Sequence, residues 1–213
     1  IAPEKVSVIG NGVDLAKFAP VDKAEARLRL GIPADATVLI GVGNLVPLKG
    51  FQRVIPLLPA LRERHPKLLY LIVGGGASQG DMRPELEALA REHGVHDIVR
   101  FFGRQPHDEL KWYYGASDLF AQATEFEGWS NVFLEAMACG LPVVTTRVGG
   151  NPEVVAVPAV GELVDWWDPY AFRDAIDRGL VRQWDREAIV AYARANTWDR
   201  RVERLVGEFE GLG

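Results

Sequence analysis

The sequence predicts an α/β fold, a Rossmann-like parallel sheet flanked by helices, from three observations. Short apolar runs typical of buried strands alternate with segments of helical periodicity. Glycines follow several of these runs, at Gly43, at Gly74 and at Gly103. The spacing between runs suits βαβ units, whose strands are parallel. A sheet of this kind binds ligands at the carboxyl ends of its strands, where the strand order reverses.

The individual elements follow from local periodicity and from the residues that interrupt it. The predicted strands are 5–9, 38–42, 68–73, 99–102, 119–122, 142–146 and 162–164. The predicted helices are 24–30, 51–64, 83–93, 108–114, 131–139, 169–179, 186–195 and 198–209. Gly31 and Pro33 end the first helix, and Gly94 caps the third. Pro56 and Pro59 are expected to bend or shorten the helix in which they lie.

The composition excludes several functional classes. The 213 residues are 48% hydrophobic and 25% charged, with a formal net charge of −5. This acidic balance argues against general affinity for nucleic acid, which requires a basic surface. The single cysteine, Cys139, excludes an internal disulfide framework and a multi-cysteine metal site. Apolar runs are shorter than the ~20 residues of a membrane span, and no signal peptide is recognised, so a cytoplasmic location is expected.

Two carboxylates frame a predicted helix start in the segment 125–144, EFEGWSNVFLEAMACGLPVV. Glu127 and Glu135 lie eight positions apart, and both Ser130 and Asn131 between them favour the N-cap position. A helix N-terminus presents free N–H groups and the positive end of the helix dipole. The segment therefore predicts a phosphate site with carboxylates on either side.

The positions of the carboxylates suggest what they bind. Glu135 lies one turn into the helix, and its side chain tilts back toward the N-terminus. It is therefore placed to accept hydrogen bonds from sugar hydroxyls beside a phosphate. Glu127 approaches from the preceding loop, where Gly128 leaves no side chain in the way of a ligand. We expect this arrangement in a nucleotide-sugar site.

The sequence resembles the retaining glycosyltransferases of family four, which have the two-domain GT-B architecture. The resemblance rests on six motifs in the family's order: NGVD (11–14), GNLVPLKG (43–50), IVGGG (72–76), VRFFG (99–103), the two glutamates with AMACGLPVV (127–144), and GGNPE (149–153). Each motif alone is weak, but together they are specific. The IVGGG segment lacks the full GxGxxG spacing, which disfavours a dinucleotide-dependent oxidoreductase.

The resemblance implies that this chain is the C-terminal half of a longer enzyme. Residues 1–20 are then a crossover segment from a missing N-terminal domain, and 21–195 the donor-binding Rossmann-like domain. Residues 196–213 form a C-terminal helix expected to pack toward the missing domain. That domain would hold the acceptor, and it would decide any peripheral attachment to the inner face of a membrane.

The resemblance also implies roles for particular residues. Lys49 would contact the diphosphate of the donor, Glu135 the ribose hydroxyls, and Glu127 the transferred sugar. Glu127 and Lys49 are the expected catalytic residues, because a carboxylate can stabilise positive charge growing at the anomeric carbon. The expected nucleotide-sugar-binding set is Gly43, Asn44, Lys49, Gly103, Arg104, Glu127, Gly128, Trp129, Ser130, Asn131, Val132 and Glu135.

Within this set, backbone groups are expected to do much of the binding. Amides of residues 129–132 would receive the diphosphate, and backbone around Arg104 would hold the base. Trp129 is consistent both with a wall of the sugar pocket and with a loop tryptophan packed for its area. The family more often has arginine at the position of Asn44, and Arg104 could replace the missing charge.

No cofactor and no metal ion are expected. The chain has no Asp-x-Asp motif, and its four histidines lack the spacing of metal ligands. In the GT-B enzymes that the chain resembles, lysine and a helix dipole would stabilise the leaving group instead.

The predicted function is donor binding in an enzyme that transfers a hexosyl group from a UDP- or GDP-sugar to a glycan or lipid-linked acceptor, as in polysaccharide biosynthesis. The isolated chain is expected to be inactive, because half of the cleft would be absent. Two alternatives remain: a GT-B relative such as a nucleotide-sugar epimerase or a phosphorylase, and a non-catalytic nucleotide-sugar-binding module.

Overall fold

The computed structural model describes residues 8–78, 80–166 and 168–210. Within these ranges the strands are β1 (Thr37–Val42), β2 (Leu68–Val73), β3 (Val99–Gly103), β4 (Leu119–Gln122), β5 (Val143–Thr146) and β6 (Gly161–Val164). They pair in the order β3-β2-β1-β4-β5-β6, and every pair is parallel. The order reverses between β1 and β4, so the loops after these strands flank a crevice. The predicted Rossmann-like α/β sheet is confirmed.

The two central strands are buried on both faces. Every residue of β2 is buried, and in β1 only Thr37 is partly exposed. This double burial explains why both strands are apolar runs without alternation. Their register pairs Val42 with Val73, so β1 and β2 end at the same level. The glycine loops that follow them therefore lie at one edge of the sheet.

Helices cover both faces of the sheet. They are α1 (Lys23–Arg29), α2 (Phe51–Val54), α3 (Leu58–Arg64), α4 (Arg83–Glu92), α5 (Leu110–Ala116), α6 (Asn131–Ala138), α7 (Asn151–Val154), α8 (Pro169–Val181), α9 (Arg186–Arg194) and α10 (Trp198–Glu210). Helices α1, α5, α6 and α9 pack on one another in a row. Helix α8 packs on β4, β5 and β6, and α2 packs on α4.

Prolines divide the predicted helix 51–64 into three pieces, as the sequence indicated. Helix α2 is followed by a 3-10 turn at Ile55–Leu57 that contains Pro56. Helix α3 then begins at Leu58, with Pro59 in its first turn. Because proline has no N–H group, it cannot continue the helical hydrogen-bond ladder from the preceding turn.

Three short elements differ from the sequence prediction. A 3-10 turn at Pro47–Lys49 and helix α7 were not predicted, because a single turn is too short to show periodicity. The predicted helix 108–114 begins instead as a 3-10 turn at His107–Glu109, which then continues as α5.

The N-terminal segment lies against the C-terminal part of the chain. Val13 forms an isolated parallel bridge with Thr197. The predicted strand 5–9 falls partly outside the described residues, and Val8 and Ile9 are not in a strand. Residues 1–7 and 211–213, at the outer ends of the predicted terminal segments, are likewise outside the described ranges.

Helix α10 leaves an apolar face exposed. None of its residues is buried. Its exposed apolar side chains recur at helical spacing and are Trp198, Val202, Leu205, Val206 and Phe209. In the described ranges, none of the helices is both long enough and apolar enough to cross a membrane.

The turn after β1 presses against the loop after β4. Gly50 has a φ of 75°, and a Cβ atom there would lie 1.8 Å from the carbonyl oxygen of Ala123. The Leu48 carbonyl oxygen accepts hydrogen bonds from Thr124 Oγ1 and from the Glu125 amide, each at 2.9 Å. These contacts hold the two loops at the switch point together.

We expect Gly50→Ala to lower the free energy of unfolding by about 2–5 kcal/mol in urea titrations. A left-handed backbone costs an alanine about 1–2 kcal/mol, and displacement of the Ala123 carbonyl adds about 1–3 kcal/mol. Gly31→Ala is the matched control, because its φ is 62° but no atom of the part of the chain that the structure describes lies within 4 Å of the added Cβ. The control should lose only the part of the free energy of unfolding that comes from the left-handed backbone. Equal losses in the two variants would show that the loop contact contributes nothing.

Candidate functional site

Two ion pairs lie at the switch point between β1 and β4. Lys49 Nζ is 2.5 Å from Glu127 Oε2, and both side chains are largely buried, with exposures of 24% and 15%. Beside them, Arg53 Nη2 is 2.6 Å from Glu125 Oε2. Glu125 is the more solvated carboxylate, at 47% exposure. The structure therefore brings the expected catalytic residues, Lys49 and Glu127, into direct contact.

The loop that carries Glu127 is supported on two sides. The turn at Pro47–Lys49 supports it through the Leu48 carbonyl, as described above. On the other side, the Gly150 amide donates to the Glu127 carbonyl oxygen at 2.8 Å. A Cβ atom on Gly150 would lie 2.0 Å from the carbonyl oxygen of Gly128. The GGNPE motif thus packs directly on the backbone of the Glu127 loop.

A cavity of about 250 Å³ opens beside Lys49 at the ends of the strands. It is lined by Val42, Gly43, Asn44, Lys49, Val73, Gly74, Gly75, Arg104, Gln105 and Leu110. Lys49 and Arg104 are the charged residues of this lining, and both are cations. Arg104 Nη2 donates to the Gly76 carbonyl oxygen at 2.9 Å, which holds the guanidinium at the rim. A small anion here would meet two positive charges and glycine backbone.

Gly103, the last residue of β3, is not part of this lining but contacts Gly74, which is. Its carbonyl oxygen accepts a hydrogen bond from the Gly74 amide at 2.9 Å, which ties the ends of β2 and β3 together. Arg104 follows directly and lines the cavity. Gly43, Asn44, Lys49 and Arg104, predicted separately from two motifs, therefore share one pocket.

Glu135 lies on α6 and lines a second cavity of about 220 Å³. Other residues of that lining are Gly12, Val13, Asp14, Lys17, Phe18, His107, Asn131 and Trp198. The two cavities are neighbours along the chain, because the loop from Arg104 to His107 contributes to both. The NGVD motif enters the site here, through Gly12 to Asp14.

Both oxygens of Glu135 have a hydrogen-bond partner. Tyr114 Oη donates to Oε2 at 3.0 Å, and His107 Nε2 lies 2.9 Å from Oε1. Burial, together with the charge of Glu135, raises the pKa of the Tyr114 hydroxyl well above its usual range. Tyr114 therefore stays protonated and acts as a donor. Neither Tyr114 nor His107 was in the predicted set, because no local spacing relates them to Glu135.

The start of α6 differs in detail from the prediction. Ser130 occupies the N-cap position but makes no capping hydrogen bond with its side chain. Asn131 is the first helical residue, and its Oδ1 accepts a hydrogen bond from Asn11 Nδ2 at 3.0 Å. Val132 is partly buried and packs against the core. The Ser130 side chain therefore does not cover the amides of the first turn.

Trp129 is packed between two segments. A Cβ atom on Gly10 would lie 2.0 Å from its ring, and the Arg201 guanidinium lies 5.3 Å from the ring centroid. Among the described residues, its buried Nε1 has no hydrogen-bond partner. Trp129 lines neither of the two cavities described here. The contacts described here for Trp129 are packing contacts, and its part in a sugar pocket stays a prediction.

Comparison with known proteins identifies the family of this chain. A family model described as "Glycosyl transferases group 1" matches residues 22–196. A D-inositol 3-phosphate glycosyltransferase from Actinosynnema mirum is 40% identical over 216 residues, covering 97% of this chain and 52% of that protein. A D-inositol 3-phosphate glycosyltransferase from Acidothermus cellulolyticus is 38% identical, covering 97% of this chain and 48% of that protein. The chain thus spans about half the length of the curated relatives it matches.

Solved structures show the same fold. A sucrose-phosphate synthase from Thermosynechococcus elongatus superposes with a TM-score of 0.82 at 29% identity, over 97% of this chain and 52% of the other. Anabaena Alr3699/HepE, solved in complex with UDP-glucose, superposes with a TM-score of 0.71 at 26% identity, over 94% of this chain and 54% of the other. The family match over most of the chain and these superpositions agree with each other, so this chain belongs to the group 1 glycosyl transferases and has the α/β sheet of the GT-B type.

Proposed function

We propose that this chain binds the nucleotide-sugar donor of a retaining glycosyltransferase. The complete enzyme would transfer a hexosyl group from a UDP- or GDP-sugar to a glycan or lipid-linked acceptor. The observation that carries the proposal is the 2.5 Å contact of Lys49 with Glu127 beside the glycine-rimmed cavity. In this proposal the Lys49 cation binds a diphosphate and the neighbouring Glu127 carboxylate binds a sugar. The UDP-glucose complex of HepE supports this ligand class.

In this proposal the diphosphate lies between Lys49, Arg104 and the start of α6. Asn44 lines the same cavity but carries no charge. Arg104 supplies the second positive charge, and its contact with the Gly76 carbonyl oxygen leaves other guanidinium donors for phosphate oxygens. First-turn amides and the helix dipole add to the positive field. These groups would stabilise the charge that develops on the leaving diphosphate, so we propose a transfer that needs no metal cofactor.

Glu127 acts on the sugar. Its carboxylate contacts Lys49. When a diphosphate binds Lys49, the charge of the lysine is shared with the phosphate, and Glu127 becomes available to a sugar hydroxyl. Its negative charge then stabilises the positive charge that grows at the anomeric carbon. Lys49 thus stabilises negative charge on the leaving diphosphate, and Glu127 stabilises positive charge on the sugar as the same bond breaks.

Domain organisation is a further part of the proposal. The chain covers about half of its curated relatives. The apolar face of α10 includes Leu205 and Phe209, which are 43% and 66% exposed. A face of this kind suits packing against another domain, as we propose for 196–213. The acceptor would bind that other domain, and the transfer would take place in the cleft between them, at the cytoplasmic side of a membrane when the acceptor is lipid-linked.

Calorimetric titration of the full-length protein with UDP, GDP and ADP tests the donor site. We expect Lys49→Gln to weaken binding of the preferred diphosphate by about 1.5–3 kcal/mol, because a charged hydrogen bond is lost. Lys67→Gln is the control, since Lys67 pairs with Asp35 on the exposed surface. It should bind like wild type. If wild type binds none of the three diphosphates, the proposed function is wrong. We expect the 213-residue chain alone to bind more weakly and to turn over little.

Glutamates two positions apart allow a matched test of catalysis in the full-length protein. We expect Glu127→Gln to lower kcat by about 100-fold or more, because stabilisation of charge in the transition state is lost. Glu125→Gln removes an equivalent carboxylate that pairs with Arg53 and should change kcat little. NMR of the product would show retention of the anomeric configuration. Donor binding without transfer would favour a non-catalytic binding module.

A further inference from the structure

We propose that Tyr114 and His107 are positioning residues for nucleotide recognition. They fix the Glu135 carboxylate in one orientation, so that its remaining acceptor sites face the two hydroxyls of a ribose. This inference rests on the proposed function, in which Glu135 binds the ribose of the donor. It adds two residues outside the sequence motifs and gives them a measurable role in the selection of ribonucleotides.

Tyr114 is held rigidly behind Glu135. The residue lies on α5 and is fully buried. Its ring lies between the rings of Phe18 and Phe120, with centroid distances of 6.1 and 6.2 Å. The hydroxyl therefore has a fixed position, from which it donates to Glu135 Oε2 at 3.0 Å. A donor on a packed ring sets the position of the oxygen that it binds.

A glutamate needs such a contact to present its oxygens in a fixed plane. The terminal torsion of glutamate is broad, so helix geometry alone does not set the carboxylate plane. The Glu135 side chain is 7% exposed, so little water is available to satisfy its oxygens. An unpaired buried carboxylate oxygen is costly. The Tyr114 hydroxyl removes that cost in one orientation only.

His107 completes the arrangement from the solvent side. It lies on the 3-10 turn before α5, and its side chain is 56% exposed. The imidazole contacts Glu135 Oε1 at 2.9 Å and packs edge-to-face on Phe18 at a centroid distance of 4.8 Å. The two carboxylate oxygens thus have partners on different elements, one in the core and one at the surface.

The acceptor sites that remain match a vicinal diol. An ionised carboxylate has about four lone-pair sites. Tyr114 uses one on Oε2, and His107 uses one on Oε1. One site remains on each oxygen, which is the number that the 2′- and 3′-hydroxyls of a ribose require. Loss of either positioning contact would let the carboxylate rotate and would weaken the diol contact without touching the diphosphate site at Lys49.

The test compares ribose selectivity in the full-length protein. Calorimetry gives the affinity of UDP, GDP and ADP and of their 2′,3′-dideoxy analogues. For the diphosphate that binds, we expect wild type to prefer the ribose form by about 10-fold or more. Tyr114→Phe and His107→Ala should each lower this ratio several-fold while affinity for the dideoxy form stays the same. In a Glu135→Gln background, Tyr114→Phe should leave the ratio unchanged, because the partner that it positions is altered.

Tyr192→Phe is the matched control. Tyr192 Oη donates to the Val154 carbonyl oxygen at 3.0 Å, so its loss costs a similar hydrogen bond away from Glu135. It should not change the ratio. A ratio that stays at the wild-type value in Tyr114→Phe or His107→Ala overturns the role of that residue, and so does an equal loss of affinity for both nucleotide forms. Should Tyr114→Phe fail to fold, the exposed His107 still provides the test. If wild type binds no diphosphate, the proposed function fails, and this inference fails with it.

Discussion

Contact between the 47–50 turn and the loop after β4 decides where the charged groups of the site lie. Gly50 leaves room for the Ala123 carbonyl, and the Leu48 carbonyl oxygen accepts two hydrogen bonds from the loop. Strands β1 and β4 are neighbours in the sheet, so the backbone brings Lys49 and Glu127 to one place. Their ion pair follows from the strand order, and the site depends on close packing of two backbones.

The three glutamates of the site each have a partner within the chain. Glu127 contacts Lys49, Glu125 contacts Arg53, and Glu135 is held by a buried tyrosine and an exposed histidine. In the proposed function, a nucleotide sugar would replace these contacts through its anionic diphosphate and its neutral hydroxyls. These partners keep the side chains of the site in place, which would lower the cost of reorganisation in the reaction that we propose.

Local patterns predicted the elements well where the apolar runs have sharp ends. Strands 68–73 and 119–122 have the observed bounds, because glycine or polar residues stop each run. Helix ends differ by one or two residues, as frayed ends usually do. Helix α7 was missed because it is a single turn. In the candidate site, motifs predicted Lys49 and Glu135, whereas the contacts of Glu135 with residues 21 and 28 positions away have no sequence signal.

The sequence by itself determined the alternation of strands and helices, the glycine loops at the strand ends, and the family. These properties depend on local periodicity and on short motifs, which a linear chain displays directly. Tertiary structure alone decided that Lys49 pairs with Glu127 across 78 positions, that Arg104 shares the cavity of Lys49, and that Tyr114 holds Glu135. The physical reason is that these contacts depend on strand order and side-chain packing. Both are set by the burial of the whole core, and neither leaves a trace in the spacing of residues along the chain.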